Sequence, residues 1–336
     1  MINILTNHPL KELNSFHVDE HADCIICFDQ KEDLNSIFAD GCAPEKWYVL
    51  GGGNNILFTQ HFNGTLIKPT GNKITIKAQF DDSTIIEAEA GVDWDQLVAW
   101  CVNEGLWGVE NLSLIPGTVG AAPVQNIGAY GAEVKDVIER VHYFNVEDHK
   151  HHTLGNAECG FAYRDSIFKR ELKGKTVITS VEFRLNKFPN PNLGYGDLAK
   201  EVEARGGATL QNIREAVCAI RQSKLPDTAV LGNAGSFFKN PIVSKQVGEQ
   251  LKQEYEDMPL YMVTENTCKL AAGWLIDRSG LKGYRQGNVG VHERQALVLV
   301  NFGGATGAEV IALSERVRAA VKEKFGITID PEVNIL

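Results

Sequence analysis

Ile115-Pro-Gly-Thr-Val-Gly-Ala-Ala-Pro-Val-Gln-Asn-Ile-Gly-Ala-Tyr-Gly131 is the stretch on which the reading of this chain turns. Four of its residues are glycine (Gly117, Gly120, Gly128, Gly131), Pro116 and Pro123 are proline, and none is charged. Its apolar residues repeat with neither the period of a strand nor that of a helix. Glycine at this density lets backbone amides come close to a ligand and take positive φ without steric cost. Thr118, Gln125 and Asn126 add neutral hydrogen-bonding groups suited to a polar ring edge or a phosphate. A surface loop normally carries solvating charge, so the stretch reads as a cradle lying under a cofactor.

Upstream, Lys46–Leu50 reads as a strand running into Gly51-Gly52-Gly53-Asn54-Asn55, where backbone amides could hold a phosphate. It is not the dinucleotide fingerprint, because the third glycine is missing and Ile56-Leu57-Phe58 continues as apolar strand or turn. Strand-like segments follow at 64–69, 73–78 and 84–90. Trp94, Leu97, Val98, Cys101 and Val102 then mark one face of a helix capped by Asp93 and Gln96 and ended by Gly105. Nearer the start, Asp23–Phe28 reads as a buried strand whose Cys24 and Cys27 are core residues, and 29–40 as a helix with Asp29 and Glu32 at capping-box spacing.

Beyond the cradle, strands are expected at 140–147 and 176–185, with a polar turn at Asp148–His152 whose three histidines are not read as a metal site. From Thr209 the texture turns helical. Ile213, Val217 and Ile220 mark a helix stopped by Pro226; Val247, Leu251, Tyr255 and Met258 mark one begun by Ser244. An irregular loop runs from Leu231 to Pro241. A strand at 296–300 precedes a helix from Thr306 to Phe325, with Thr306 and Glu309 as its capping box and Gly326 as its stop.

Composition bounds the function. A hydrophobic content of 43% with 23% charged residues is ordinary for a globular protein, and 336 residues suggest two or three domains. The net charge of -10 argues against a nucleic-acid binder. Seven cysteines, scattered and odd in number, fit a reducing cytosol. The first sixteen residues lack an apolar signal core, and no run is long enough to span a bilayer. A cytoplasmic protein with no membrane partner and no obligate protein partner is expected.

The unusual stretches stand together: GGGNN at 51–55, the cradle at 115–131, YRDSIF at 163–168, YGDL at 195–198, SKLPD at 223–227, GSFFKNP at 235–241 and PEV at 331–333. In this order, nearly end to end, they resemble the UDP-N-acetylenolpyruvoylglucosamine reductases, flavoenzymes that complete UDP-N-acetylmuramate for bacterial peptidoglycan and so serve cell-wall biogenesis, cell shape and division. The chain is similar to the longer family type, whose mobile loop bears a tyrosine; Tyr261, ahead of KLAAGWLID, matches it. The resemblance implies an α+β fold: a two-subdomain FAD-binding module of the vanillyl-alcohol-oxidase-like (PCMH-type) class plus a separate α/β substrate-binding domain. It implies residues 1–70, joined by the tail 327–336, and 71–225 as the two flavin subdomains, with 226–326 as the substrate domain.

By the same resemblance, Gly51, Gly52, Gly53, Asn54, Asn55, Pro116, Gly117, Thr118, Gly120, Ala121, Gln125, Asn126, Gly128, Ala129 and Gly131 form a non-covalent FAD site. Ser236 matches the proton donor, with Arg164 and Glu332 at the substrate carboxylate and enol. Tyr195, Lys224, Asn240, Tyr261 and Gln295 match residues that hold the UDP-sugar; a lysine and a phenol are fitting partners for phosphate oxygens. NADPH is implied as reductant, UDP-N-acetylglucosamine enolpyruvate as substrate, and no metal. The chain departs from the pattern at Asn54, where many relatives carry serine, at Ala121, where many carry glycine, and at Asn334, where arginine is frequent. A flavin oxidase on the same scaffold would often tether its flavin through His or Cys, and the cradle has neither. A non-catalytic binding module would leave Ser236, Arg164 and Glu332 without a role.

Overall fold

The computed structural model describes all 336 residues, which fall into two compact units. The first comprises Met1–His8, Ala22–Gly52 and Asn63–Arg221; the second comprises Pro9–His21, Gly53–Phe62 and Gln222–Leu336.

The first unit holds two sheets. Asn3–Pro9, His21–Phe28, Phe62–Pro69 and Trp47–Val49 form a four-stranded sheet in that order, with Trp47–Val49 parallel to its neighbour. The other sheet is antiparallel throughout and runs Lys150–Gly155, Ile138–Asn145, Thr176–Asn186, Ser83–Glu89, Ile74–Gln79. Its inner face meets helix α2 (Trp94–Asn103), which turns Trp94, Leu97, Val98, Cys101 and Val102 inward, the stripe expected from the 3.6-residue period. Asp93 caps that helix by accepting from the Gln96 amide at 2.9 Å. Helix α3 (Leu198–Glu203) and helix α4 (Leu210–Lys224) add Leu198, Ile213, Ala216 and Val217 to the same core. A smaller core lies beneath helix α1 (Asp33–Ile37), where Phe38 stacks on Phe144 at 5.8 Å.

Three local expectations give way here. Helix α1 begins later than the Asp29/Glu32 spacing suggests and has no side-chain cap, because Asp29 pairs instead with the chain's terminal amine. Cys24 and Cys27 are half-buried free thiols rather than core residues. The turn expected at 148–152 ends early: Lys150–Gly155 is a strand, on which His152 stacks over Tyr143 at 5.5 Å.

The second unit packs helices α5 (Lys245–Glu254), α6 (Ala272–Arg278) and α7 (Gly307–Phe325) with a sheet ordered Gly232–Asn233, Leu299–Asn301, Val289–Val291, Arg285–Gln286. Helix α7 carries the expected capping box and an αL Gly326 at its end, and it buries Val310, Leu313, Val317, Val321 and Phe325. Phe16 and Leu57, from the two early segments, are fully buried in this core. Asn334–Ile335 pairs in parallel with Ile56–Leu57. Ile242–Ser244, Thr267–Leu270 and Leu260–Met262 make a small antiparallel sheet. Tyr261, expected on a mobile loop, is therefore in a strand opposite Lys269; its pairing partners lie further along the chain, beyond the reach of a local reading. No helix is long and apolar enough to cross a membrane.

Candidate functional site

In the first unit the cradle lies across the end of the strand Trp47–Val49. A Cβ built on Gly51 would stand 2.9 Å from Thr118 Oγ1, and one on Gly120 would stand 2.7 Å from the Ala90 Cβ. The two glycine-rich stretches therefore touch through Gly51 and Thr118, and a side chain at Gly51 or Gly120 would force its neighbour to shift. Gly117, at φ +136°, has open space where a Cβ would be. Lys68, the only charged residue of the strand Phe62–Pro69, donates to the Gly51 carbonyl at 3.0 Å, and burial lowers its ammonium pKa. It escaped the sequence reading, although a lone lysine in LIKP was a visible signal.

The start of helix α2 fixes one end of the cradle. The amides of Val119 and Trp94 donate to Val92 and Gly117 carbonyls at 2.9 and 3.0 Å, and that of Gly120 donates to Ala90 at 3.0 Å. Asp95 accepts from the Leu114 amide at 2.5 Å and from both arms of Arg214 at 2.7 and 2.8 Å. Burial works against the Asp95 charge, but this fork and the amide outweigh it and hold the carboxyl below its usual range. Arg221, two turns along the same face of α4 from Arg214, donates to the Leu114 carbonyl at 3.1 Å. Leu114 is thereby held at φ +59°, and left-handed non-glycine residues recur at Asn126, Tyr130 and Arg164. Such strain gathers where a surrounding framework imposes a ligand-binding shape.

The 162–166 segment braces the cradle's other face. Asn126 donates to the Ala162 carbonyl at 3.0 Å, Ser166 to Val124 at 2.7 Å and Arg164 to Gly128 at 3.1 Å. Asn126 is fully buried and also donates to Glu133 at 3.0 Å, so both its N–H groups are used inside the protein and its role is to shape the loop. Asp165 pairs with Arg170 rather than with its neighbour Arg164. Across the stretch, Val119, Ala122 and Asn126 are buried, while Pro116, Ala121 and Gly131 face solvent. Tyr195, also in this unit, is exposed and meets Tyr130 edge to face at 6.0 Å.

In the second unit the structure brings Ser236 and Glu332 together. The Glu332 amide donates to the Phe237 carbonyl and the Lys239 amide to Asp330, at 2.7 and 2.9 Å, so the GSFFKNP loop and the tail run side by side. Ser236 is exposed, while Phe237 and Phe238 anchor its loop in the core. Asn334 donates through its side chain to the Asn55 carbonyl at 3.0 Å, and the Asn55 side chain donates to the Glu332 carbonyl at 3.4 Å. Asn240 and Gln295 both lie at the start of α6: Asn240 Oδ1 accepts from the Ala272 amide at 2.9 Å, and Gln295 Oε1 lies 3.3 Å from a Cβ built on Gly273. The Lys269 ammonium lies 5.8 Å over the Tyr261 ring, and Lys224 is exposed at the end of α4.

FAD fits the first unit's residues. A neutral, glycine-walled loop with imposed left-handed positions, joined by the half-buried Lys68, suits a diphosphate and a polar ring. The cradle contains no His or Cys for covalent attachment. Fold and site thus define a flavin-binding oxidoreductase scaffold, and the family model described as "FAD binding domain" matches residues 22–155. The model described as "UDP-N-acetylenolpyruvoylglucosamine reductase, C-terminal domain" matches residues 226–336. Proteins named UDP-N-acetylenolpyruvoylglucosamine reductase from Bacteroides fragilis (strain YCH46) and Chromobacterium violaceum are 47% and 46% identical, covering 98% and 97% of this chain and 99% and 97% of theirs. The solved UDP-N-acetylenolpyruvylglucosamine reductase of Thermus caldophilus shares the fold at a TM-score of 0.70, with 24% identity over 100% of this chain and 98% of that one. The chain belongs to the UDP-N-acetylenolpyruvoylglucosamine reductase family, and its fold class is the one the sequence motifs implied.

Proposed function

We propose that the chain reduces UDP-N-acetylglucosamine enolpyruvate to UDP-N-acetylmuramate in the cytoplasm, with NADPH as reductant. The pairing of the Ser236 loop with the Glu332 tail supports this reading best, because it places a hydroxyl and a carboxyl on adjoining backbone within a reductase family. Bound FAD stores the hydride between its two substrates, a chemistry the cofactor supplies. Gly51 to Asn55 and the neutral, amide-rich 116–131 loop hold and orient it. Arg164, fixed by its own bond to Gly128, presents a cation where negative charge develops on the substrate carboxylate. Glu332 serves at the same enol. Ser236 holds the proton that completes the carbon next to the carboxylate. Tyr195, Lys224, Asn240, Tyr261 and Gln295 hold the UDP-sugar, with Lys224 and the tyrosines at its phosphates. The 116–131 loop assigned to the flavin lies in the first unit, and residues 226–326 take the substrate.

The test is one absorbance experiment. The purified protein is yellow, NADPH bleaches it anaerobically, and the enolpyruvyl sugar restores the colour. A bleached protein that the enolpyruvyl sugar leaves unchanged overturns the proposal.

A further inference from the structure

Tyr130 and Gly131 close the cradle with two successive left-handed residues, φ 49° and +81°, which turn their carbonyls away from the loop's own backbone. Both carbonyls are caught by asparagines. Asn111, only 2% exposed in the turn Glu110–Leu112, donates from Nδ2 to the Tyr130 carbonyl at 2.9 Å and to the Asn192 carbonyl at 2.7 Å. Asn192 in turn donates from its side chain to the Gly131 carbonyl at 3.0 Å. The Asn111 Oδ1 has no hydrogen-bond partner within the protein, and the residue's bonds to the cradle and to the 192–195 loop are both made by its N–H groups. A Cβ built on Gly131 would stand 3.3 Å from the Asn192 side chain and 3.6 Å from the Tyr195 Cβ, so the 192–195 loop lies directly on the cradle's end.

We infer that Asn111 is a positioning residue: it latches the 192–195 loop to the flavin cradle and so sets Tyr195 for the UDP-sugar. The inference rests on the reading of Tyr195 as a substrate ligand. The 192–195 loop has no regular structure, and Tyr195 is 56% exposed. Leu193 packs on the core and the Tyr195 carbonyl accepts from the Leu198 amide at 3.3 Å, while the two asparagines and the Tyr130 ring edge hold the loop's face to the cradle, so the latch sets where the phenol stands. Tyr130 belongs to the cradle, so flavin and UDP-sugar are coupled through one rigid turn.

The test is a double-mutant cycle on the flavin-loaded enzyme, reading KM for the enolpyruvyl sugar against kcat. Asn111→Ser removes both latch bonds, and its expected effect is a KM raised ~10-fold with kcat within about twofold, as loss of two net hydrogen bonds gives. In a Tyr195→Ala background the same change adds less than about twofold, because Asn111 acts only through that phenol. Asn192→Ala, at an exposed position, removes one bond without touching the core and covers the case in which Asn111→Ser does not fold; its smaller KM effect also vanishes in the Tyr195→Ala background. Effects that multiply in the double mutants, or a loss in kcat alone, overturn the latch. A Tyr195→Ala enzyme with unchanged KM overturns the reading of Tyr195 itself, and the latch's substrate role with it.

Discussion

Replacing Asp95 with Asn tests whether the cradle's shape is imposed by charge. The carboxylate carries three hydrogen bonds, two from Arg214 and one from Leu114, and its side chain and that of Arg214 are 25% and 18% exposed. Asparagine keeps one acceptor for Leu114 but meets the guanidinium with no charge and one fewer oxygen. Hydrogen bonds between charged groups are worth about 1.5–3 kcal/mol each, and partial exposure favours the low end, so the variant loses about 2 kcal/mol. The difference depends on pH in one direction. Asp95 titrates below its ordinary value in the folded chain, so its contribution is complete above the unfolded pKa of about 3.9 and is lost as pH falls through the folded value. Urea unfolding of parent and variant should therefore give the same gap at pH 7 and pH 5, narrowing below about pH 4. FAD affinity should fall as well, since Leu114 leads directly into Pro116 and Gly117. A gap under about 0.5 kcal/mol at pH 7, or one that persists unchanged at pH 3.5, refutes this account.

Three further outcomes are expected. Ser236→Ala leaves NADPH-driven bleaching near normal but slows reoxidation by the enolpyruvyl sugar ~10²–10⁴-fold, as loss of a positioned acid does; stopped-flow absorbance on each half-reaction decides, and equal slowing of both would make Ser236 a shaping residue. Tyr261→Phe weakens binding of the UDP-sugar in calorimetry while FAD content stays normal, and unchanged affinity removes Tyr261 from the site. Gly120→Ala forces a Cβ to 2.7 Å from the Ala90 Cβ and 3.2 Å from its Cα, an overpacking that costs about 1–3 kcal/mol and lowers flavin occupancy; a thermal midpoint and flavin content equal to the parent's would show that the strand and the cradle can part freely.

Helices α2 and α7 were legible because a buried face repeats with the helix period and their ends carry capping chemistry that acts within four residues. The cradle was legible for the opposite reason, since glycine and proline without charge or period exclude the ordinary elements. What escaped depends on partners distant in sequence. Leu260–Met262 is a strand only because Cys268–Leu270 comes back beside it. Lys150–Gly155 carries three charged or imidazole side chains in its first three positions and is a strand only because Ile138–Asn145 receives it. Asp95, Asn111, Arg214 and Arg221 sit inside ordinary helix or turn patterns, and their polar heads declare no partner until the loop 114–131 is folded against them. Arg164 was singled out only through its motif, and its bond to Gly128 was not read, because the adjacent Asp165 offered a simpler local pair.

The second unit's core draws Phe16 and Leu57 from one end of the chain and Val310 to Phe325 from the other. During synthesis at roughly 5–20 residues per second, about 250 residues separate the appearance of Leu57 from that of α7, a delay of about 13–50 s. The first unit can close in that interval, but two large apolar side chains threaded through its early segments must wait for their partners. The family model that begins at residue 226 thus covers only part of a folding unit, because segments 9–21 and 53–62 complete its core and stay exposed in the nascent chain until α7 has emerged.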